Sequence, residues 1–197
     1  MEPPKETRST SPTTWLVLAA VFLAAIAVTL VIGSRGDAAG ETTYPDLGDL
    51  TANDPNVPGA DEVAPTFSLM TLDDETFDLA DHIATDGRPI VLNLWASWCP
   101  PCRAEMPAIN TASQRNPGVL FIGVAVQDDP DKAAAFAEEI SVTYTIAVDD
   151  GTVEEAYPLL GLPGTFFIDG TGTIVKSHFG VVTIDSLDDD IAALFGS

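Results

Sequence analysis

The chain has 197 residues, and 30 acidic against 8 basic side chains give it a formal net charge of −22 at pH 7. This balance argues against nucleic acid as a partner, because phosphates are bound by basic surfaces that release their counterions. Hydrophobic residues, at 46%, suffice for a packed core, and the presence of only two cysteines excludes a disulfide-rich scaffold and an all-cysteine metal or iron–sulfur site.

The N-terminal part of the sequence predicts a membrane segment. A polar stretch, residues 1–14, precedes an uncharged apolar run from Trp15 to Ile32, which as a helix would span about 27 Å, close to the hydrocarbon thickness of a bilayer. We therefore predict a single-pass transmembrane anchor or uncleaved signal over 15–32, with 1–14 as a cytoplasmic tail. Lys5 and Arg8 precede the span and Arg35 follows it, which places the rest of the chain outside the cytoplasm. A cleaved signal peptide is the alternative.

The remainder of the chain divides into a linker and one domain. Residues 33–62 are dense in Gly, Pro, Asp and Asn and show neither helical nor strand periodicity, which predicts a flexible linker. Residues 63–197 have the length of a normal single domain. The folded part is therefore predicted over 63–197.

Periodicity and turn residues predict the elements of this domain. Residues 63–79 alternate apolar and polar side chains around Asp73-Asp74-Glu75, which predicts a β-hairpin. In chain order the further predictions are a strand over 89–96, a helix after Cys102, a strand over 118–126, a helix over 130–140, a strand over 144–148, a short helix over 152–160, a hairpin of strands 165–169 and 173–179, and an amphipathic helix over 183–195. Alternating strands and helices followed by a hairpin predict an α/β fold with a mixed central sheet flanked by helices.

The two cysteines, Cys99 and Cys102, enclose two prolines at the end of a predicted buried strand. A bridge between them closes a very short loop and adds little stability. A zinc site needs four ligands, and the only histidines, His82 and His178, are distant in sequence. Haem attachment needs a histidine directly after the second cysteine, where the chain has Arg103. The interpretation that remains is reversible redox chemistry. We expect the disulfide to be the only redox group, with no metal or other cofactor.

The position of the cysteines favours this chemistry. Cys99 is expected at the N-terminus of a helix, where unpaired N–H groups and the helix dipole stabilise a thiolate, the attacking species. Cys102, one turn further, is expected to lie deeper and to resolve the mixed disulfide. Pro100 and Pro101 fit the first turn but have no N–H to donate to the Cys99 sulfur. We therefore expect a more reducing couple than a proline-free turn would give.

Three segments carry a resemblance to a known family. Residues 95–107 (WASWCPPCRAEMP) resemble the active-site segment of the thioredoxin-fold TlpA/ResA-type family, residues 64–69 (APTFSL) resemble its opening hairpin, and residues 161–169 (GLPGTFFID) resemble its cis-proline loop and the strand that follows. The resemblance covers most of residues 63–197. It implies a thioredoxin fold and a membrane-tethered thiol–disulfide oxidoreductase outside the cytoplasm, a type that often acts in cytochrome c maturation.

The resemblance also implies a substrate site. A cis bond between Leu162 and Pro163 would bring this pair beside Cys99, expose backbone for pairing with a substrate strand and keep metals away. Gly164 stands where relatives often carry a larger or polar residue, so we expect a more open groove. The predicted substrate-binding residues are Trp98, Pro100, Pro101, Leu162, Pro163 and Gly164.

Glu105 is the third predicted catalytic residue, beside Cys99 and Cys102. It lies three positions after Cys102 on the same helical face, and the family uses an acid there to relay protons, with a pKa raised by burial. An acid that only favours the helix dipole is the alternative. Asn93 lies inside the central strand without an assigned role, and His178 is expected to be structural.

The leading hypothesis is a reductant of protein disulfides outside the cytoplasm, with the haem-site cysteines of apocytochrome c as substrate and a membrane thiol electron donor that recharges it. A general oxidant or reductase of secreted proteins remains open. A copper-binding chaperone of thioredoxin fold is an alternative from another class, although such chaperones carry a Cys-x-x-x-Cys motif and a dedicated histidine. A peroxidase of related fold would need a lone peroxidatic cysteine in a loop rich in Pro and Thr, and this sequence has none.

Overall fold

The computed structural model describes residues 60–157, 159 and 161–196. The predicted tail, the predicted membrane segment and the predicted linker up to residue 59 lie outside the described residues. Over the ranges just given, no helix combines the length and the apolar character needed to cross a bilayer.

The described residues form strands and helices in the following order: β1 (Glu62–Val63), β2 (Ser68–Met70), β3 (Thr76–Asp78), α1 (Leu79–Thr85), β4 (Ile90–Trp95), α2 (Pro100–Arg115), β5 (Leu120–Ala125), α3 (Pro130–Glu139), β6 (Thr145–Val148), α4 (Thr152–Ala156), β7 (Gly164–Ile168), β8 (Thr173–Phe179) and α5 (Ile184–Phe195).

The core of the domain is a six-stranded mixed sheet with the order β1-β8-β7-β4-β5-β6. Strands β4, β5 and β6 are parallel, whereas β7 is antiparallel to β4 and pairs in turn with β8. Every residue of the central strand β4 is buried, which accounts for its continuous apolar sequence. The predicted mixed sheet is confirmed.

Both faces of the sheet are covered. One face packs against α2 and α5, through a cluster that includes Val91, Phe121, Phe167, Ile109, Ala112, Leu187 and Ile191. The other face packs under the β2–β3 hairpin and α4, through a cluster that includes Leu92, Leu94, Ile122, Phe166, Phe67, Leu69, Val153 and Tyr157. Burial on both sides holds β4 rigidly, and the helix that follows it, α2, begins from a fixed point.

The predicted opening hairpin is confirmed, because β2 and β3 pair antiparallel from Ser68↔Asp78 to Met70↔Thr76. The sequence pattern does not predict two of the observed elements. Helix α1 is seven residues long, with Leu79 and His82 buried, and so short a segment shows no clear helical period. Strand β1 contains Glu62, the last residue of the predicted linker, and pairs with β8 over two residues only.

Candidate active site

The two cysteines lie where β4 passes into α2. Cys99 is the N-cap of α2, and Pro100 and Pro101 occupy its first turn. The sulfurs of Cys99 and Cys102 form a disulfide of 2.08 Å. Both cysteines are buried, but Cys99 is 3% exposed and Cys102 is 0% exposed, so Cys99 is the more accessible of the two. The predicted difference in depth between the two cysteines is therefore present.

The Cys99 sulfur has a sparse set of hydrogen-bond donors. The backbone N–H of Cys102 donates to it at 3.3 Å. An N-cap side chain accepts from the second and third residues of its helix, and here the second is Pro101, which has no N–H. Within the described residues, one backbone donor therefore serves this sulfur.

Glu105 is buried on α2, one turn beyond Cys102, and is only 1% exposed. Its Oε1 accepts from Asn93 Nδ2 at 2.8 Å, and its Oε2 accepts from the backbone N–H of Val182 at 2.9 Å. Burial raises the pKa of Glu105 to about 8, and the two hydrogen bonds oppose this rise. This pKa is close to that of an ordinary cysteine thiol, about 8.5.

The loop before β7 lies beside the disulfide. The peptide bond between Leu162 and Pro163 is cis, and the Leu162 side chain packs against the buried cluster that contains both cysteines. The carbonyl of Pro163 accepts from the N–H of Gly180 at 3.0 Å, whereas Leu162 forms no backbone hydrogen bond within the described residues. The loop therefore places, next to the cluster that contains the disulfide, a backbone segment at Leu162 whose hydrogen-bonding groups have no partner among the described residues.

A groove of about 320 Å³ runs along this loop, and its lining includes Leu94, Trp98, Glu154, Tyr157 and Leu162. Trp98 is 57% exposed and donates its indole N–H to the carbonyl of Gln127 at 2.9 Å. An exposed, fixed aromatic side chain beside a cysteine is a surface suited to a peptide partner.

The expectation of a wider groove at Gly164 is wrong. Gly164 is buried, and a Cβ at this position would lie 2.7 Å from Leu159 Cδ1. The side chain of Leu159 therefore fills the space that a larger residue at position 164 would occupy.

The sequence matches the AhpC/TSA family over residues 60–177. The chain belongs to this family. Thiol:disulfide interchange protein DsbE of Escherichia coli (strain K12) is 34% identical over 133 residues, which are 66% of this chain and 71% of the relative. The soluble secreted antigen MPT53 of Mycobacterium tuberculosis (strain ATCC 25618 / H37Rv) is 34% identical over 146 residues, which are 73% of this chain and 82% of the relative.

Solved structures agree with this assignment. The crystal structure of a secreted Mycobacterium tuberculosis disulfide oxidoreductase, described as homologous to Escherichia coli DsbE, matches with a TM-score of 0.57 and 31% identity over 65% of this chain and 96% of that chain. The AhpC/TSA protein described here is a thiol–disulfide oxidoreductase with a thioredoxin-like α/β fold. The resemblance drawn from its motifs is confirmed.

Metal ligands do not converge in the described part of this oxidoreductase, where no group of three or more His, Cys, Asp or Glu side chains is placed to hold an ion. His178 lies on β8, paired in register with Thr165 of β7. His82 is buried, and its Nε2 lies 3.0 Å from the carbonyl oxygen of Arg88, which is a structural contact.

Asp128 is a site residue to which the sequence analysis gave no role. Its carboxylate accepts from the backbone N–H and the hydroxyl of Ser97, two residues before Cys99. The segment after β5 therefore holds the loop that leads into α2. The two residues are separated by 31 positions, so no local sequence pattern signals the contact.

Asp128→Ala is expected to lower the free energy of unfolding by about 2–3 kcal/mol, because three donors, the N–H and the hydroxyl of Ser97 and the backbone N–H of Asp129, lose a charged acceptor. It is also expected to slow disulfide exchange several-fold, because Cys99 loses the support of its loop. Asp129→Ala is the matched control, since Asp129 caps α3 and its loss should destabilise by about 1 kcal/mol without slowing exchange. Urea unfolding and a dithiol-driven exchange assay measure both effects, and equal exchange rates in the two variants would contradict the role given to Asp128.

Proposed function

We propose that this oxidoreductase reduces disulfides in proteins outside the cytoplasm, with the disulfide-bonded haem-attachment cysteines of apocytochrome c as its substrate. The observation that carries the reducing direction is that the part of the chain described by the structure offers one backbone donor to the Cys99 sulfur. A strong oxidant of this chemistry has a stabilised reduced form. A thiolate with few donors stabilises the reduced form less, so the couple favours giving its electrons away.

In the proposed reaction the Cys99 sulfur attacks first and the Cys102 sulfur attacks second. The Cys99 thiolate attacks one sulfur of the substrate disulfide, that bond breaks, and the first substrate thiolate leaves. Glu105, as carboxylate, then takes the proton of the Cys102 thiol and becomes a neutral acid. The Cys102 thiolate attacks the Cys99 sulfur, the internal disulfide forms, and the second substrate thiolate leaves. The enzyme ends oxidised by two electrons and the substrate ends reduced by two.

The substrate is proposed to bind along the groove beside the cis-proline loop. The open backbone groups of Leu162 suit an extended segment that pairs as an added strand. Trp98 and Pro100, the chain neighbours of Cys99, are both exposed and would contact a substrate bound at its sulfur. Pro101 and the buried Pro163 set the positions of the turn and the loop. This arrangement supports a protein or peptide disulfide as the substrate rather than a small-molecule disulfide.

The place of action and the source of electrons belong to the same proposal. The apolar run predicted over 15–32 would anchor the domain at the outer side of the membrane, through the linker that the sequence predicts over 33–62. One relative is named a thiol:disulfide interchange protein and another a secreted antigen, which supports a domain outside the cytoplasm. A reductant there needs a thiol donor in the membrane that passes electrons to the oxidised Cys99–Cys102 pair.

Pro101→Ala tests the donor argument. The substitution restores an N–H at the second position of α2, and a hydrogen bond to a charged sulfur is worth about 1.5–3 kcal/mol. The reduction potential is therefore expected to rise by about 30–60 mV. Pro107→Ala is the matched control, because Pro107 lies in the same helix away from the sulfur and should leave the potential unchanged.

The same measurement tests the proposed function. A strong oxidant of this chemistry has a reduction potential of about −120 mV. Equilibration of the wild-type chain with glutathione should give a reduction potential well below that value. The reduced enzyme should then reduce a disulfide-bonded Cys-x-x-Cys-His peptide. A potential near −120 mV, or rapid oxidation of the reduced peptide by the oxidised enzyme, would show that the direction is the opposite one.

A further inference from the structure

Asn93 is a buried polar residue in the middle of β4 that the reaction described above does not use. It is 0% exposed. Its Nδ2 donates to Glu105 Oε1 at 2.8 Å and to Thr165 Oγ1 at 3.2 Å, and lies 3.5 Å from the carbonyl oxygen of Gly164. Its Oδ1 is buried and has no hydrogen-bond partner among the described residues. A buried amide with one end in the site and the other end unpartnered calls for an explanation.

The two carboxyl oxygens of Glu105 have different neighbours. Oε2 accepts from the backbone N–H of Val182, and a backbone N–H is a donor in every state of the protein. Oε2 must therefore remain an acceptor whether Glu105 is ionised or neutral. The proton of the neutral acid consequently lies on Oε1, the oxygen that faces Asn93.

A proton on Oε1 would meet the N–H of Asn93, so two donors would oppose each other. An asparagine can resolve this conflict without moving its backbone, because its amide presents a donor at one end and an acceptor at the other. A half-turn about the terminal side-chain torsion, which is soft in asparagine, exchanges Nδ2 for Oδ1. The acid then donates to Oδ1.

The hydroxyl of Thr165 can form a hydrogen bond with the Asn93 amide in both orientations. Its hydroxyl accepts from Nδ2 in the observed orientation, and a hydroxyl can equally donate to Oδ1 after the turn. The reversal gives up the long contact, 3.5 Å, from Nδ2 to the carbonyl oxygen of Gly164, whereas Oδ1 has no hydrogen bond to lose when it moves. Each orientation leaves the amide with a partner on Glu105 and a partner on Thr165.

We propose that Asn93 is a positioning residue that reverses its side-chain amide each time Glu105 gains or loses a proton, offering Nδ2 to the carboxylate and Oδ1 to the acid, with Thr165 as its partner in both states. The proposal rests on the proton transfer by Glu105 proposed above. Its consequence is that the carboxyl group stays hydrogen-bonded on both oxygens throughout the catalytic cycle, although it is sealed from water.

The other ionisable groups around this carboxyl come from the elements packed against it. Tyr144, before β6, has a buried hydroxyl whose pKa is raised by burial and by the charge of Glu105. Cys102 lies on α2 with Glu105, and His178 lies on β8, paired in register with Thr165. The segment before α5 contributes the backbone N–H of Val182.

The test is a titration of the full-length, oxidised chain by NMR, with labelled glutamate carboxyl carbons and asparagine side-chain amides. Glu105→Gln and Asn93→Leu assign the two signals. The Asn93 amide signals are expected to change with the same midpoint as the Glu105 carboxyl, and the cross-relaxation between Nδ2 protons and the Thr165 methyl should weaken in the acid form. Asn93 amide signals that stay constant through the Glu105 titration of the wild-type chain would overturn the proposal.

Two variants test the same proposal through the midpoint of the Glu105 titration. Asn93→Leu should raise the Glu105 midpoint by about one pH unit, a tenfold change in acidity, because the carboxylate loses a stronger hydrogen bond than the acid does. Thr165→Val should shift the midpoint by less than half of that, because Thr165 is a partner in both states. An unchanged midpoint in Asn93→Leu would also overturn the proposal.

The titration is independent of catalysis. If Glu105→Gln exchanged disulfides at the wild-type rate, the proton transfer by Glu105 would be refuted, whereas the amide reversal would still be decided by the NMR signals. If the amide did not reverse but Glu105→Gln were slow, the proposed function would survive and the inference would fail.

Discussion

Cys99→Ser reduces turnover of protein disulfides to the uncatalysed background, because a serine hydroxyl stays protonated at neutral pH and does not attack sulfur. Cys102→Ser keeps the first attack and loses the second, so it should react once and stop as a mixed disulfide. The two variants are thus expected to differ in kind, although they remove the same internal disulfide. A stopped-flow assay with a disulfide-bonded protein substrate measures both the steady-state turnover and the single-turnover burst.

The comparison needs a control for stability. The Cys99–Cys102 bridge closes a short loop, so both variants should unfold at nearly the same denaturant concentration as the reduced wild-type chain. A burst in Cys99→Ser of the size seen in Cys102→Ser would contradict the order of attack, because it would make Cys102 the sulfur that meets the substrate.

Glu105→Gln is expected to stabilise the oxidised protein at alkaline pH by up to about 4–5 kcal/mol. In the unfolded chain this carboxyl ionises near 4.5, whereas in the folded protein its pKa is about 8. Between these two values the folded state binds more protons than the unfolded state. The contribution of Glu105 to the free energy of unfolding therefore falls as the pH rises from about 4.5 to about 8 and is constant above.

Glutamine keeps the shape of the side chain and removes the ionisation. The stability difference between Glu105→Gln and wild type should thus be small below pH 4.5, grow through the interval and level off above pH 8. Urea unfolding of the oxidised forms between pH 4 and 9 measures it, and Glu138→Gln, at an exposed position on α3, is the matched control with a flat difference. A difference that stays flat for Glu105→Gln as well would mean that the carboxyl is not held protonated by burial.

Much of the fold could be predicted because its central elements carry strong local patterns. Strand β4 is covered on both faces and shows a continuous apolar run, and α2 begins at a proline pair, where the sequence predicted a helix start. Elements with few buried residues were missed. Helix α1 is short and contributes only Leu79 and His82 to the interior, and β1 is held by its partner strand rather than by its own sequence.

The site was predictable where its chemistry is local in sequence and not where it depends on distant contacts. The cysteine pair and Glu105 lie within one helix, so spacing alone places them together. Asn93 and Val182, which hold the Glu105 carboxyl, lie 12 and 77 positions away from it, and no pattern signals such pairs. The error at Gly164 has a different origin: Leu159, whose side chain fills the space, is close in sequence, but it lies in an irregular loop whose side-chain directions follow no sequence period.

The most direct measurement is mass spectrometry of the adduct that the Cys102→Ser chain forms in the cell that makes it. A dithiol that reduces protein substrates must pass through a covalent intermediate, and the serine prevents its release. We expect a peptide containing Cys99 joined by a disulfide to a haem-attachment cysteine of apocytochrome c. Recovery of the variant without a covalent partner at Cys99, under conditions where the wild-type chain is active, would contradict it.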